Sequence, residues 1–584
     1  MDTSTVVERP AVPTRFSPWL VLTVLCLGFF MTLLDTTIVN IAVPNLVDSL
    51  DAPLDQVLWI LNAYILVYAV LLITGGRLGD LYGQKRLFLI GMTLFVAASA
   101  ACGFAQSPGQ LIAARATQGV GGALLTPQTL AMLTAIFPAA RRGAAFGIWG
   151  AVAGLATVAG PTLGGWLVTA WSWRWIFYVN LPIGIITLVL AAVILPDLRL
   201  NRDHRLDWLG TLLASTGLFL LCFGLIEGQS HHWGRVWGPI TIPMIVVAGL
   251  GVIGLFIWQQ HAHRDRDPLV PRGIFADRNF AVMSVVVAAI SFGMLGLFFP
   301  LVIFLQSVLG LSAVQAGFIL APMSLASVAS APFAGRLTDK YGGKGLLISG
   351  LVVWAFGMAI VVTSARVFID RKELITGLVV AGFGLGMTFA PLQAIAMRNV
   401  APRLAGAAAG VINTSRQLGA VIGSAAVGAL LQSQLAARLL ESAQANSIGL
   451  PQSFRPRFID GFAQAASKGL QIGVRSTGVH LPAEIPESVR PAILQYAAKT
   501  FHEAYTDAMR TTLILPLSVL ALAALAVLFV RRDVQPAPDH QSSSSTSEGG
   551  PSTSESSEPS ESSEPSESSE SSESAGPSNS SAGR

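Results

Sequence analysis

Long apolar stretches, separated by short polar segments, recur along almost the whole chain. A helix needs about 20 apolar residues to cross about 30 Å of hydrocarbon, and these stretches have that length. The pattern therefore predicts fourteen transmembrane helices. Their approximate limits are 19–42, 57–78, 87–105, 110–135, 144–169, 175–196, 207–227, 238–259, 280–304, 314–336, 345–364, 374–397, 405–431 and 511–531.

The composition agrees with a protein that is embedded in lipid. Of 584 residues, 52% are hydrophobic and only 12% are charged, and the mean hydropathy is +0.60. Soluble proteins carry about 25% charged residues. The net charge of +4 does not indicate a nucleic-acid partner, because the basic residues lie in short segments between apolar stretches. We expect membrane lipid, and no nucleic acid, around this chain.

The distribution of basic residues predicts the orientation of the chain. If the N-terminus is cytoplasmic, seventeen Lys and Arg residues fall in inner loops and five in short outer loops. Such an excess is typical of cytoplasmic loops. Both termini are therefore expected in the cytoplasm of a multi-pass cell-membrane protein. Arg greatly outnumbers Lys, as in GC-rich bacterial genomes, which suggests a bacterial plasma membrane.

A short sequence repeat divides the chain into two related parts. The string GRLGDLYGQK begins at Gly76, and GRLTDKYGGK begins at Gly335, at an offset of 259 residues (335 − 76), with seven of ten positions identical. The copies follow the second and tenth spans, so the spans group as six, two and six. The predicted units are an N-terminal tail (1–17), a six-helix bundle (18–196), two linker spans (197–260) and a second six-helix bundle (261–532).

Two segments fall outside this pattern. Residues 437–508 form a long outer insertion whose later part carries Ile493, Ala497, Phe501 and Tyr505 at helical spacing. We interpret that part as an amphipathic helix on the membrane surface, with a lid over the outer mouth as the alternative. The Ser- and Glu-rich residues 533–584 have almost no apolar side chains and are expected to be a disordered cytoplasmic tail.

Three charged residues stand inside apolar stretches, where each costs about 2.5 kcal/mol or more. Asp35 is expected to bind and release a proton, because a carboxyl in apolar surroundings holds a proton more readily than one in water. Arg115 stays charged, and we interpret it as a fixed cation that tunes a carboxyl or binds an anion. Arg416 has no acidic residue in its own span. The alternative for all three is a purely structural, hydrogen-bonded group.

Several strings together resemble the major facilitator superfamily, and specifically its fourteen-span drug/proton antiporter branch (EmrB/QacA type). GRLGDLYGQKR resembles the loop between the second and third spans of that superfamily, and LIAARATQGVGGA its fourth span. LLDTTIVNIAVP, GAVAGLATVAGPTLGG, WRWIFYVNLPIG and GVINTSRQLGAVIG resemble stretches of the branch. The resemblance implies an all-α membrane protein with the major facilitator fold, in which two six-helix bundles are joined by two inserted spans.

The resemblance also implies roles for particular residues. Proton coupling falls to Asp35 and Arg115. The conformational switch comprises Gly76, Asp80, Gly83, Arg86 and Asp339, and its glycines permit a tight turn. The antiporter motif, which implies export, comprises Gly150, Gly154, Gly160, Pro161, Gly164 and Gly165. Helix capping at the switch and close helix packing at the motif are the corresponding structural alternatives.

A mostly apolar central cavity is expected to bind the substrate. The candidates for its lining are Met31, Asn62, Tyr64, Tyr68, Gln118, Gln393, Asn413, Arg416 and Gln417. Each of them is equally consistent with an interhelical hydrogen bond or with packing.

The function that these observations favour is efflux of drugs or antibiotics, coupled to protons and carried out by alternating access. The substrates are expected to be lipophilic small molecules, often cationic. No enzymatic activity, metal or cofactor is expected: the sequence lacks a phosphate-binding loop and a metal-ligand pattern, so the proton gradient supplies the energy. Two alternatives stay open, namely an exporter of one endogenous antibiotic or cell-envelope lipid, and a non-transporting sensor or scaffold.

Overall fold

The computed structural model describes residues 15–50, 54–197, 206–228, 230–231, 233–262, 268–366, 371–452, 454–468 and 490–531. The predicted disordered tail, most of the N-terminal tail and the centre of the 437–508 insertion lie outside the described residues.

The first half of the chain is helical. Its helices are α1 (Pro18–Ile38), α2 (Val43–Leu50), α3 (Leu54–Tyr82), α4 (Gln84–Phe104), α5 (Pro108–Ile136), α6 (Arg142–Ala170), α7 (Trp175–Tyr178) and α8 (Asn180–Ile194). Short 3-10 segments, Val39–Ala42 and Ala139–Arg141, precede α2 and α6. The six predicted spans of this half all coincide with helices, and α7 and α8 together form the sixth.

The remainder adds ten helices and one small hairpin in the described residues. The helices are α9 (Trp208–Glu227), α10 (Ile242–Ala262), α11 (Arg272–Ala276), α12 (Arg278–Ile303), α13 (Ala313–Tyr341), α14 (Gly343–Ser364), α15 (Arg371–Ala396), α16 (Ala405–Ser447), α17 (Arg455–Lys468) and α18 (Arg490–Leu528). The antiparallel strands β1 (Arg235–Trp237) and β2 (Ile240–Thr241) precede α10. A π-helical turn, Phe304–Val308, ends α12, and a 3-10 segment, Pro402–Leu404, precedes α16.

The prediction of an all-α membrane protein is confirmed. In the described part of the chain, thirteen helical segments are long and apolar enough to cross a membrane. They coincide with thirteen of the predicted spans, and α6 occupies the position of the remaining one. Helix starts follow local chemistry: Ser312, for example, accepts a hydrogen bond from the backbone N–H of Gln315, whose side chain in turn accepts one from the Ser312 N–H.

The turn between α3 and α4 and the turn between α13 and α14 repeat the same backbone geometry. Gly83 has a φ of 98° and Gly342 a φ of 83°, a region that favours glycine. The prediction that Gly76 also forms this turn is wrong, since Gly76 lies within α3, as Gly79 does. Their small size instead lets other chain segments approach α3 closely. We call the end of the protein that carries these two turns the motif side.

Helices from the two halves pack against each other along two seams. Helix α6 packs on α13 and α15, and α16 packs on α3 and α5. Helices α9 and α10 pack on each other, and α9 also contacts α3 and α16. Both seams reach the motif side, because α6 and α16 both begin there.

The segment 437–508 differs from its prediction. Helix α16 has 43 residues, or about 65 Å, roughly twice the hydrocarbon thickness, so it continues past the span. The predicted surface helix is the first part of α18, which runs without a break into the last span. Its apolar residues are buried in one cluster with Leu435, Leu439 and Ala443 of α16, which explains why it stands upright. Asn446 Nδ2 also donates to Glu503 Oε2 at 2.8 Å.

Candidate functional site

A buried ion pair joins α1 to α5. Asp35 is fully buried and Arg115 is 1% exposed, and Arg115 Nη1 lies 2.5 Å from Asp35 Oδ2. A charge in such surroundings requires a partner of opposite sign and further hydrogen bonds. The structure thus brings together the two residues predicted for proton coupling, although their role stays a prediction.

Amide side chains complete the surroundings of this pair. Asp35 Oδ1 accepts hydrogen bonds from Gln118 Nε2 at 2.8 Å and from Asn180 Nδ2 at 3.0 Å. Arg115 donates to Gln118 Oε1 at 2.6 Å and to the carbonyl of Ile60 at 3.3 Å. Asp35 is therefore not the isolated carboxyl that the sequence suggested, because residues from α5 and α8 satisfy it. We call Asp35, Arg115, Gln118 and Asn180 the charge cluster.

A second layer holds the charge cluster in place. The Asn180 amide also donates to Ser99 Oγ at 3.0 Å, and Ser99 donates to the carbonyl of Phe177 at 3.0 Å. The ring of Tyr64 lies 4.3 Å from Arg115 Cζ. Sequence reasoning missed Asn180 and Ser99. A polar residue within a predicted span was the available signal, and Asn180 lies in the string WRWIFYVNLPIG, whose resemblance to the branch gave this residue no role.

The chemistry available to the charge cluster follows from its side chains. Arginine cannot give up its proton, because its pKa is above about 12. In the charge cluster the carboxyl of Asp35 is therefore the group that can change charge. Protonation of Asp35 would remove its attraction to Arg115 and would weaken the contact between α1 and α5.

At the motif side, each copy of the repeat binds the start of a helix from the other half. Asp80 is 4% exposed and accepts hydrogen bonds from the backbone N–H groups of Gly406 and Ala407, both at 2.8 Å. These N–H groups open α16 and have no partner within their own helix. The negative carboxylate also faces the positive end of the α16 dipole.

The second copy repeats this contact in the opposite direction. Asp339 accepts hydrogen bonds from Gly143 N–H at 2.7 Å and Ala144 N–H at 2.8 Å, at the start of α6. Glycines allow the close approach, since a Cβ at Gly76 would overlap the carbonyl oxygen of Gly406, and one at Gly335 that of Gly143. We call these two contacts the Asp80 latch and the Asp339 latch.

The basic residues of the repeat that make contacts differ from the one predicted. Arg86 was expected to take part in the switch, but its side chain is exposed at the start of α4. The structure instead gives Lys85 and Lys344, at equivalent positions of the two copies, a shared contact. Lys85 Nζ donates to the carbonyl of Ala192 at 2.7 Å, near the end of α8. Lys344 Nζ donates to the carbonyls of Leu528 and Val530 at 2.7 and 2.6 Å, at the end of α18.

Helix α6 presents the predicted antiporter motif to both halves. A Cβ at Gly150 would lie 2.9 Å from Phe389, and one at Gly154 would lie 2.9 Å from Val328. Further along, Gly160 and Gly164 pack against Thr37 and Ile38 of α1, and a Cβ at Gly165 would lie 3.1 Å from Val314. The side chain of Pro161 lies outside the described residues. This small-residue face brings α1, α13 and α15 close to α6.

The candidate cavity residues do not form one group. Tyr64 and Gln118 belong to the charge cluster or its second layer, and the ring of Tyr68 is parallel to that of Tyr64 at 5.7 Å. Asn413 donates to the carbonyl of Ala409 within α16 at 2.9 Å. The other side chains occupy separate places: Met31 is fully buried, Gln393 is 4% exposed, and Asn62, Arg416 and Gln417 are half-buried.

Comparison with known protein families gives one match that covers most of the chain. Residues 25–424 match the family model described as Major Facilitator Superfamily. An uncharacterized MFS-type transporter of Mycobacterium tuberculosis is 41% identical, over 75% of this chain and 74% of its own. The Multidrug resistance protein Stp of the same species is 34% identical, over 71% of this chain and 76% of its own. The Tetracenomycin C resistance and export protein of Streptomyces glaucescens is 33% identical, over 74% and 80%.

Solved structures support the fold. The human organic anion transporter MFSD10 aligns with a TM-score of 0.54, over 87% of this chain and 100% of its own. Its sequence is 14% identical, so this likeness bears on the fold alone.

Proposed function

Because the chain belongs to the Major Facilitator Superfamily, we propose that it is a proton-coupled exporter of lipophilic small molecules that works by alternating access. The observation that carries this proposal is the charge cluster, in which a fully buried carboxylate is held by a fixed cation and two amides. Two relatives support export, since one is named a multidrug resistance protein and another a resistance and export protein. The activity is transport rather than catalysis.

Movement of a proton down its gradient, by way of Asp35, supplies the energy for export. With the carboxylate ionised, Asp35 pairs with Arg115 and receives hydrogen bonds from Gln118 and Asn180. A proton that arrives from outside neutralises the carboxyl, breaks the ion pair and lets α1 move relative to α5. Release of that proton to the cytoplasm restores the pair. One half-cycle moves the proton inward and the other moves substrate outward.

The two latches report which side of the protein is closed. Both Asp80 and Asp339 bind helix N-termini across the two halves, so the halves are joined at the motif side. The excess of basic residues in the predicted inner loops supports a cytoplasmic position for this side and for both chain termini. In the opposite conformation both aspartates give up these N–H groups, and the motif side opens. No cofactor takes part in this cycle.

Transport by the purified protein in lipid vesicles tests the proposal. An imposed pH gradient, with the vesicle interior acid and the cytoplasmic side outward, is expected to drive uptake of at least one of three fluorescent probes: 1-pyrenebutyrate, 1-pyrenebutanol or 1-pyrenebutylamine. Asp35→Asn is expected to abolish that uptake. Glu441→Gln is the control, because Glu441 is an exposed acid on α16. Uptake without a gradient, or unchanged uptake by Asp35→Asn, would refute proton coupling through this residue.

A further inference from the structure

The charges inside the spans do not balance. Among the residues that the structure describes, three charged side chains lie within the predicted spans rather than at their ends: Asp35, Arg115 and Arg416. Asp35 and Arg115 neutralise each other. Arg416 has no acidic side chain within 4.0 Å in the same described ranges. An arginine in such a position is costly and marks a functional site unless its charge is compensated.

Arg416 faces the other half of the protein. It lies on α16, and its Cζ is 5.9 Å from the ring centroid of Phe29 on α1. Phe29 stacks on Trp149 of α6, with ring centroids 4.1 Å apart and planes 13° from parallel. The guanidinium and the two rings thus come from both halves of the chain, in the region where the bundles meet. We call Phe29, Trp149 and Arg416 the aromatic–arginine site.

Two donors on these three residues lack an acceptor among the described residues. One is Nε of Arg416, and the other is the indole Nε1 of Trp149, whose side chain is 1% exposed. A buried donor without a partner costs about 1–3 kcal/mol, so both groups gain from a ligand that brings acceptor atoms. A guanidinium near an aromatic ring matches a carboxylate or phenolate that is attached to a flat apolar body.

We infer that the aromatic–arginine site binds the transported substrate and that it selects compounds with one anionic group on an aromatic body. Arg416 pairs with the anion. Phe29 and Trp149, which are buried in the conformation described, contact the apolar part of the substrate when the bundles separate. The charge cluster holds no free carboxylate for a cation, because Arg115 already occupies Asp35. The inferred substrate is therefore anionic, in contrast to the cationic class expected from the resemblance. This inference rests on the proposed export function.

Binding of three probes that share one scaffold tests the inferred charge preference. The full-length protein in detergent is titrated with 1-pyrenebutyrate, 1-pyrenebutanol and 1-pyrenebutylamine, which are anionic, neutral and cationic. The anion is expected to bind about tenfold more tightly than the cation, the factor that a charge-assisted hydrogen bond gives. Equal affinity for the anion and the cation overturns the inference, whatever the variants show.

Substitution assigns the preference to one residue. Arg416→Gln is expected to weaken binding of pyrenebutyrate about tenfold and to leave pyrenebutanol within about twofold, while Arg416→Lys keeps part of the preference. Arg438→Gln is the matched control on α16, since Arg438 is 40% exposed and pairs with Glu441. An equal loss for all three probes in Arg416→Gln, or no loss for the anion, overturns the assignment.

The binding experiment tests the anion site, and the transport experiment tests export, so the two proposals can be refuted separately. A charge preference without gradient-driven uptake contradicts the proposed export and leaves the anion site in place. Gradient-driven uptake with no charge preference contradicts the anion site and leaves export in place.

Discussion

The charge cluster shows how a single ionisable side chain is kept inside a membrane helix. Asp35 has three side-chain partners, of which one is a cation. Coulomb attraction to Arg115 and the amide hydrogen bonds together offset the loss of water around both charges. The stability of the charge cluster depends on both charges, because removal of one leaves the other buried and unpaired.

This imbalance predicts a stability difference between single and double substitutions. Arg115→Gln is expected to destabilise the protein by about 3 kcal/mol, since the buried Asp35 carboxylate loses its cation. Asp35→Asn/Arg115→Gln is expected to recover at least half of that loss, because no charge is then buried, yet it should not transport. Thermal unfolding in detergent measures the stability, and proton-driven probe uptake measures the activity.

The control for this comparison is Arg438→Gln, which removes an exposed cation from α16 and should change the unfolding temperature little. A double variant no more stable than Arg115→Gln would mean that packing of the arginine stem, rather than charge, dominates at this site.

At the scale of helices, the absence of a side chain at Gly76 sets the distance between α3 and α16. Gly76→Ala would place a methyl group on the carbonyl oxygen of Gly406, so we expect the two helices to separate and the Asp80 latch to weaken. Faster hydrogen exchange at the amides of Gly406 and Ala407 would report this. Gly345→Ala is the control, because no atom lies near a Cβ at that helical glycine. Unchanged exchange in Gly76→Ala would show that the seam can adapt.

The end of α12 is held by the upright part of α18. Tyr505 is fully buried, and its hydroxyl donates to the carbonyl of Pro300 at 2.9 Å, just before the π-helical turn Phe304–Val308. Tyr505→Phe removes about 1 kcal/mol of hydrogen bonding and should speed hydrogen exchange in that turn. Tyr496→Phe, on the same helix, is the control. If both variants exchange alike, the hydroxyl of Tyr505 does not hold the turn.

The sequence predicted the positions of the helices better than the contacts between them. Hydropathy located most helices to within a few residues, because every span must be apolar over a fixed length, but it did not predict the extensions of α16 to Ser447 and of α18 back to Arg490. The upright course of α18 was not predictable, since an apolar stripe with a polar face looks the same on a membrane surface and against α16. Asp35 and Arg115 stood out as isolated charges, but their contact joins residues 80 apart, and Asn180 enters from still further along the chain.

At the scale of the whole molecule, the two copies of the repeat make the same pair of contacts. In each copy a lysine, Lys85 or Lys344, binds carbonyls at the end of the last helix of its own half. In each copy an aspartate, Asp80 or Asp339, binds the start of a helix in the other half. Each copy therefore contacts both its own bundle and the other bundle, and we expect the two latches to form and break in the same motion.

Shared motion predicts that the two latches are coupled. Asp80→Asn is expected to speed hydrogen exchange at Gly406 and Ala407 more than Asp339→Asn does at Gly143 and Ala144, because Asp80 is 4% exposed whereas Asp339 is only half-buried. Each single variant should also speed exchange at the other latch, since opening one seam opens the motif side as a whole.

Asp507→Asn, which changes an exposed acid on α18, is the control for this prediction. In Asp80→Asn/Asp339→Asn the effects should depart from additivity, as for residues that bias one equilibrium. Strictly additive effects, each confined to its own latch, would mean that the two seams open independently and that the repeat does not act as one switch.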